Sequence, residues 1–177
     1  PTSKNAVFDI RSYDNKDRWI VLLDLVNGNL SEMEKQHDEA WIGGPGISGW
    51  NMVEGTLGWM KDNTTIYFQS EESGYSHLYL LNTSTKMKTA LTSGKWEVHE
   101  VTLSHDGKKF FITANQSHPG DRNFLHLEIS SKKITPILNR PGYFEVVISP
   151  DEKQLTYRFS YKNKPWELYT CQAILNS

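Results

Sequence analysis

Short apolar runs recur along the chain about every 45 residues, and each follows a polar turn that contains an aspartate. The aspartates are Asp62, Asp106 and Asp151, and strands are predicted directly after them at 65–69, 109–113 and 154–158. A second apolar run follows each of these after a polar connection containing Gly or Pro, at 77–81, 124–129 and 166–169. This order predicts consecutive small antiparallel sheets.

Alternation of apolar and polar residues supports the strand predictions. Leu125, Leu127 and Ile129 fall at every second position, so they lie on one face of a strand. Asp106-Gly107 predicts a two-residue hairpin turn, since glycine adopts the positive φ that such a turn needs. A third and a fourth strand are predicted in the same unit, at 100–103 and 134–138.

These elements predict an all-β fold, a partial β-propeller of four-stranded antiparallel blades, with about three and a half blades. We expect one propeller fragment over 1–177: a partial blade at 1–40, an interblade insertion at 41–56, and blades at about 57–94, 95–142 and 143–177.

Two further expectations concern local structure. The earliest recognisable strand, 18–25, aligns with the third strand of a blade, so we expect the chain to begin and end within blades. The one helix-like stretch, 29–39, places only Leu30, Met33 and Ala40 near an apolar stripe, and more than one helical turn is not expected there.

Composition adds limits on function. A net charge of −2, with Lys and Arg scattered singly, argues against a nucleic-acid surface. The sequence contains no run of eighteen apolar residues, so no membrane span is predicted. The chain has a single cysteine, Cys171, and its six histidines lack close metal-ligand spacing. No metal site is therefore predicted, and no cofactor is expected.

Several motifs match the letters of an active site but not its context. Gly44-Pro45-Gly46-Ile47-Ser48-Gly49 matches a dinucleotide fingerprint, which requires a following helix that the pattern does not predict. Ser48 is not a credible nucleophile, because Trp50 stands where a nucleophile elbow has its second glycine. Adjacent Glu71 and Glu72 are expected to diverge in a hairpin. No catalytic residue is therefore predicted.

The joint motifs at 70–79 (SEESGYSHLY) and 92–98 (TSGKWEV) are more specific. Further motifs are 120–124 (GDRNF), 141–144 (PGYF), 149–151 (SPD), 164–169 (KPWELY) and, upstream, 37–43 (HDEAWIG). Together they resemble the propeller of the dipeptidyl-peptidase-IV-type branch of the prolyl oligopeptidase family of serine peptidases. The resemblance covers nearly the whole chain, most securely 37–170.

The resemblance implies a secreted or periplasmic peptidase in which a propeller covers an α/β-hydrolase domain carrying serine, aspartate and histidine. It implies that this hydrolase domain follows Ser177 and that the family's amine-binding glutamate pair precedes Pro1. The chain itself would be non-catalytic and would gate and position peptide substrates. Some dipeptidyl members carry an aromatic residue and an arginine after the equivalent of 41–43, whereas this chain has Gly44, Pro45 and Gly46.

Trp41 and Trp50, in the interblade insertion, are the candidates for a peptide-facing surface; packing between blades is the alternative role. A stand-alone binding or scaffold propeller without a hydrolase partner is the second function considered, and a blade-type glycosidase is a third. Exposed sheet faces and strand edges at the ends of an incomplete ring predict self-association or coverage by missing blades, at 19–25 or at the last blade.

Overall fold

A computed structural model of the chain describes residues 4–47 and 55–173. Within those residues it has fourteen β-strands and no helix, and so no helix that is long and apolar enough to cross a membrane. The strands are β1 (Asn5–Arg11), β2 (Asp17–Asp24), β3 (Leu30–His37), β4 (Leu57–Trp59), β5 (Thr65–Ser70), β6 (His77–Asn82), β7 (Lys88–Ala90), β8 (Val98–Leu103), β9 (Lys109–Ala114), β10 (Asn123–Glu128), β11 (Ile134–Leu138), β12 (Tyr143–Ile148), β13 (Gln154–Tyr161) and β14 (Lys164–Gln172).

The strands form four antiparallel sheets in two compact units, 1–93 and 94–177. The first unit contains the sheets β1-β2-β3 and β4-β5-β6-β7, and the second contains β11-β10-β9-β8 and β12-β13-β14. Fourteen strands correspond to three and a half four-stranded sheets, which confirms the predicted fold class.

Each unit has its own apolar core. In the first, Ile20 and Met33 of the sheet β1-β2-β3 pack with four residues of the next sheet, Ile66, Phe68, Tyr79 and Leu81. In the second, Phe111 and Phe124 pack with Leu155 of β13. The central strands β9 and β10 are buried on both faces, so their apolar residues are nearly continuous.

One tight turn recurs four times, at Ser12–Asp17, Met60–Thr65, Ser104–Lys109 and Ser149–Gln154. In each copy the first residue donates its N–H to the carbonyl of the sixth, at 2.8 to 2.9 Å. The fourth residue has a positive φ, and these residues are Asn15, Asn63, Gly107 and Glu152. In each turn an aspartate precedes this residue and accepts a backbone N–H two residues on.

The predicted two-residue turn at Asp106-Gly107 is therefore wrong. Five residues, 104–108, connect β8 to β9, and only Gly107 of the pair has a positive φ. The Asp106 carboxylate accepts hydrogen bonds from the Ser104 hydroxyl and the Lys108 N–H, which lower its pKa. The side chain shapes this turn, so a backbone rule for the Asp-Gly pair alone gives the wrong length.

Two strands differ from the sequence prediction at the start of the chain. The helix-like stretch 29–39 contains the edge strand β3, where charged side chains discourage pairing with other chains. The strand β1 was not predicted, although it pairs with β2 over its whole length. The predicted strand 18–25 corresponds to β2, and its alignment with a third strand and the blade boundaries stay predictions.

Candidate functional site

The connection that follows β3 carries an exposed tryptophan between two pockets of the first unit. Trp41 is 68% exposed. One pocket has a volume of about 450 Å³ and is lined by Arg11, Asn15, Trp41, Ile42, Gly43, Gly44 and Ile47. The other, of about 440 Å³, is lined by Lys35, Gln36, His37, Asp38, Trp41, Ile42, Glu71, Glu72 and Gly74. We call residues 38–47 the Trp41 loop.

Local hydrogen bonds fix the start of the Trp41 loop. The Asp38 carboxylate accepts the N–H groups of Ala40, at 2.7 Å, and of Trp41, at 3.1 Å. The Ile42 N–H donates to the Asn15 carbonyl at 2.7 Å, and the Arg11 guanidinium donates to the Ile42 carbonyl. The backbone on both sides of the exposed indole is therefore held in place.

Side chains from the end of β5 and from the connection between β5 and β6 hold the middle of the loop. The buried Gln69 donates from Nε2 to the Pro45 carbonyl, at 3.1 Å, and the Ser76 hydroxyl donates to the same carbonyl at 2.7 Å. The Glu71 carboxylate accepts the Gly43 N–H at 3.2 Å. A Cβ at Gly44 would overlap Glu71, and one at Gly46, whose φ is +71°, would overlap Gln69. The glycines permit this close approach.

Charges around the second pocket are partly paired. Lys88 lies 2.7 Å from Glu34 and 2.5 Å from Glu72, and both carboxylates raise its pKa against the opposing effect of burial. A hydrogen bond to Asp17, at 2.9 Å, raises the pKa of His37. Glu71 and Glu72 therefore have different partners, although both line this pocket, and the expectation that they diverge stays a prediction.

The structure also locates the sequence motifs. Trp50 and Ser48 lie outside the described residues. From residue 55 onward, where the described residues resume, the strand β4 begins at Leu57 and no helix is present. The residues directly after the glycine motif lie outside the described part, so the expectation that no helix follows it stays a prediction. Within residues 4–47 and 55–173 no group of His, Cys, Asp and Glu is arranged to hold a metal ion.

Sequence reasoning did not identify Arg11, Asn15 and Gln69 as site residues. Arg11 and Asn15 reach the loop from the neighbourhood of β1 and β2, about thirty positions earlier, which the local pattern does not show. The glycines at 44 and 46 were the available signal, since glycine often marks close backbone approach.

Comparison with known proteins gives a consistent result. The family described as "Dipeptidyl peptidase IV (DPP IV) N-terminal region" matches residues 2–166. Dipeptidyl peptidase 4 of Arthroderma otae is 27% identical over an alignment of 133 residues that covers 66% of this chain and 17% of that protein. The chain therefore spans about a sixth of the length of this curated relative.

Solved structures show the same fold. Dipeptidyl peptidase 4 of Porphyromonas gingivalis matches with a TM-score of 0.77 and 15% identity, over 96% of this chain and 23% of that one. TolB from Acinetobacter baumannii matches with a TM-score of 0.62 and 15% identity, over 97% of this chain and 39% of that one. The family match and the four antiparallel sheets support one conclusion: this chain belongs to the family of dipeptidyl peptidase IV N-terminal regions.

Proposed function

We propose that the chain is the non-catalytic propeller portion of a serine exopeptidase of the dipeptidyl type. In this proposal it positions peptides for an α/β-hydrolase domain elsewhere in a longer polypeptide. The family match and the small share of its relatives that the chain spans support this view. The peptide and the hydrolase domain are then its partners, and the chain contributes no catalytic residue of its own.

The exposed Trp41 on a fixed loop is the observation that carries the proposal. A large aromatic side chain supplies contact area with little loss of conformational entropy, provided that its backbone is held. The pocket beside it combines the Ile42 and Ile47 side chains with the polar groups of Arg11 and Asn15. Apolar walls with a few polar groups are typical of small-ligand sites, and a volume of about 450 Å³ falls in their usual range.

Such a surface would act by positioning. Contacts to a part of the peptide away from the scissile bond can hold that bond near a serine, which lowers the entropic part of the barrier. A surface over the cleft would also limit entry to short or extended peptides. Both effects need a loop that keeps its shape, and the bonds from Asn15, Gln69 and Glu71 supply that.

Substitution of Trp41 tests the proposal in the full-length polypeptide. With X-Pro and X-Ala chromogenic dipeptide substrates, Trp41→Ala should lower kcat/KM by about 5- to 30-fold, corresponding to about 1–2 kcal/mol of lost contact. Trp166→Ala, which removes another exposed tryptophan in the second unit, is the matched control and should leave kcat/KM unchanged. Equal effects of the two substitutions, or none from Trp41→Ala, would contradict the proposed site.

A stand-alone binding propeller is the second candidate, because TolB, which is not described as a peptidase, shares the fold with a TM-score of 0.62. The two functions separate on the open reading frame beyond Ser177. The peptidase proposal expects a Gly-x-Ser-x-Gly segment followed by Asp and His. Loss of peptide hydrolysis in a serine-to-alanine variant would support it, and a reading frame without this segment would favour the scaffold.

We also propose a periplasmic or secreted location, as the peptidase relationship suggests. Fractionation of the native cells tests it by immunoblot. Recovery of the full-length polypeptide with periplasmic or extracellular markers is the expected result, and recovery with cytoplasmic markers would refute it.

A further inference from the structure

Gln69 is a buried polar residue whose side chain forms hydrogen bonds with the Trp41 loop and with Ser76 and Thr56, two residues that bond the same loop. Its side chain, at the end of β5, is fully buried. Nε2 donates to the Pro45 carbonyl and to the Ser76 hydroxyl, both at 3.1 Å, and Oε1 accepts the Thr56 hydroxyl at 2.5 Å. An amide can donate and accept at once, which neither a carboxylate nor a hydrocarbon of similar size can do.

The loop is shaped to receive this side chain. Gly46 lies against the Gln69 amide so closely that a Cβ would overlap it. The Thr56 N–H donates to the Gly46 carbonyl at 2.8 Å, so the backbone N–H and the hydroxyl of Thr56 both act in this contact. The Trp41 loop therefore packs its backbone directly on the amide of Gln69.

The backbone of Gln69 is itself anchored in the core of the first unit. The fully buried Arg18 donates to the Gln69 carbonyl at 2.6 Å. The same guanidinium makes two hydrogen bonds to the Asp9 carboxylate, at 2.8 and 3.0 Å, a geometry in which a buried charge is well satisfied. Strands β1 and β2 are thus linked through Arg18 to the residue that supports the loop.

We propose that Gln69 is a positioning residue for peptide recognition. It touches no substrate; it sets the conformation of residues 43–47 and thereby the placement of Trp41. The link to recognition rests on the proposed function of the pocket that Trp41 lines with Arg11 and Asn15. The control of loop conformation by Gln69 is independent of that proposed function. Two experiments separate these parts.

The first experiment measures amide hydrogen exchange in the full-length polypeptide. Gln69→Leu leaves the Pro45 carbonyl with one donor fewer and leaves the Thr56 hydroxyl without its acceptor, so the loop should open more often. Exchange at the amides of Ile42, Gly43 and Ile47 should become at least about tenfold faster, while amides in β9 and β10 keep their rates.

The matched control is Gln36→Leu, because Gln36 also bonds Arg18, at 3.3 Å, and among the described residues its amide nitrogen has no hydrogen-bond partner on the loop. It should leave exchange at those three amides unchanged. If Gln69→Leu does not fold, Ser76→Ala removes one donor to the Pro45 carbonyl and should give a smaller increase. Unchanged loop exchange in a folded Gln69→Leu variant, or an equal increase with Gln36→Leu, would overturn the proposal.

The second experiment is a double-mutant cycle on KM with Gln69→Leu and Trp41→Ala. If Gln69 acts through Trp41, its substitution raises KM severalfold in the unsubstituted protein and has no further effect in Trp41→Ala. Additive effects would overturn the positioning role in recognition. If Trp41→Ala alone leaves KM unchanged, the proposed function fails, while the exchange result still decides whether Gln69 controls the loop.

Discussion

At the residue scale, the stability of the second unit depends on a histidine that folding keeps neutral. Burial lowers the pKa of His99 from 6.5 to about 4, and the positive charge of Arg122 adds to the effect. The Glu97 carboxylate lies 3.9 Å from the His99 Nε2, beyond hydrogen-bond distance. Protonation of the His99 imidazole, on β8, therefore costs free energy in the folded state that it does not cost in the unfolded chain.

This pKa shift predicts a pH dependence of stability. Because the folded pKa lies below the unfolded value, the contribution of His99 is present above about pH 6.5 and is lost as the pH falls toward 4. The loss amounts to about 3 kcal/mol at most. Urea unfolding at pH 7 and pH 4.5 should show a smaller acid effect in His99→Leu than in the exposed-histidine control, His105→Leu. Equal acid effects in both would contradict the assignment.

A second residue-scale prediction concerns the recurrent turn. Asp106→Ala removes the acceptor of the Ser104 and Lys108 hydrogen bonds and should lower the free energy of unfolding by about 1 kcal/mol. Since these bonds lower the pKa of Asp106, its contribution is present above about pH 3.8 and fades below it. Asp106→Asn keeps an acceptor and should retain most of the stability in urea unfolding at pH 7. An Asn variant as unstable as the Ala variant would disprove the turn argument.

At the element scale, the β12–β13 sheet places a glycine where no side chain fits. Gly142 has a φ of +133°, and a Cβ there would lie 2.6 Å from the Ser160 carbonyl oxygen and from the ring of Phe159. Gly74 also has a positive φ, +88°, but nothing lies within 4 Å of its Cβ position. The two positions separate steric overlap from backbone strain.

Alanine at these two glycines should therefore have unequal effects. Gly74→Ala should cost about 1 kcal/mol, the strain of a positive φ alone. Gly142→Ala should cost several times as much, because β12 must also move away from β13. Thermal unfolding followed by circular dichroism measures both. Similar losses of stability in the two variants would show that the close approach at Gly142 does not constrain the sheet.

The sequence predicted the central strands, whose apolar pattern is nearly continuous, and also the edge strands β8, β11 and β14, but it missed β1 and β3 at the edges of the first sheet. β5, β9 and β10 lie inside their sheets, so packing dictates their residues on both faces. β3 is an edge strand with mostly polar side chains, and its pattern resembles no buried element.

The candidate site was only half predictable. Trp41 is visible as an unusual residue in an insertion, but Gln69 has meaning only through contacts that join positions 24 apart.

At the scale of the whole molecule, the first and last sheets each expose apolar side chains. Phe8 and Ile10 of β1 are 45% and 46% exposed, and Val147 and Leu168 of the last sheet are 70% and 72% exposed. Within the second unit, Phe124 of β10 and Leu168 of β14 occupy equivalent positions, because each pairs with the fifth residue of the preceding strand. Phe124 is only 6% exposed. We propose that self-association or further blades cover these faces.

This proposal predicts the behaviour of residues 1–177 on their own. Sedimentation velocity should show dimers or larger species, and the double substitution Phe8→Lys with Ile10→Lys should shift the distribution toward monomer. Val26→Lys alters an exposed residue in the β2–β3 connection and is the control that should change nothing. A stable monomer with a single cooperative melting transition before any substitution would count against the proposal.

The central claim is that this chain presents peptide to a hydrolase domain through Trp41. The most direct measurement is a structure of the full-length polypeptide with a non-hydrolysed peptide bound. The account predicts peptide atoms within about 4 Å of the Trp41 indole, with Arg11 and Ile42 lining the same pocket. A peptide bound without contact to the Trp41 loop, or no hydrolase domain in the polypeptide, would contradict it.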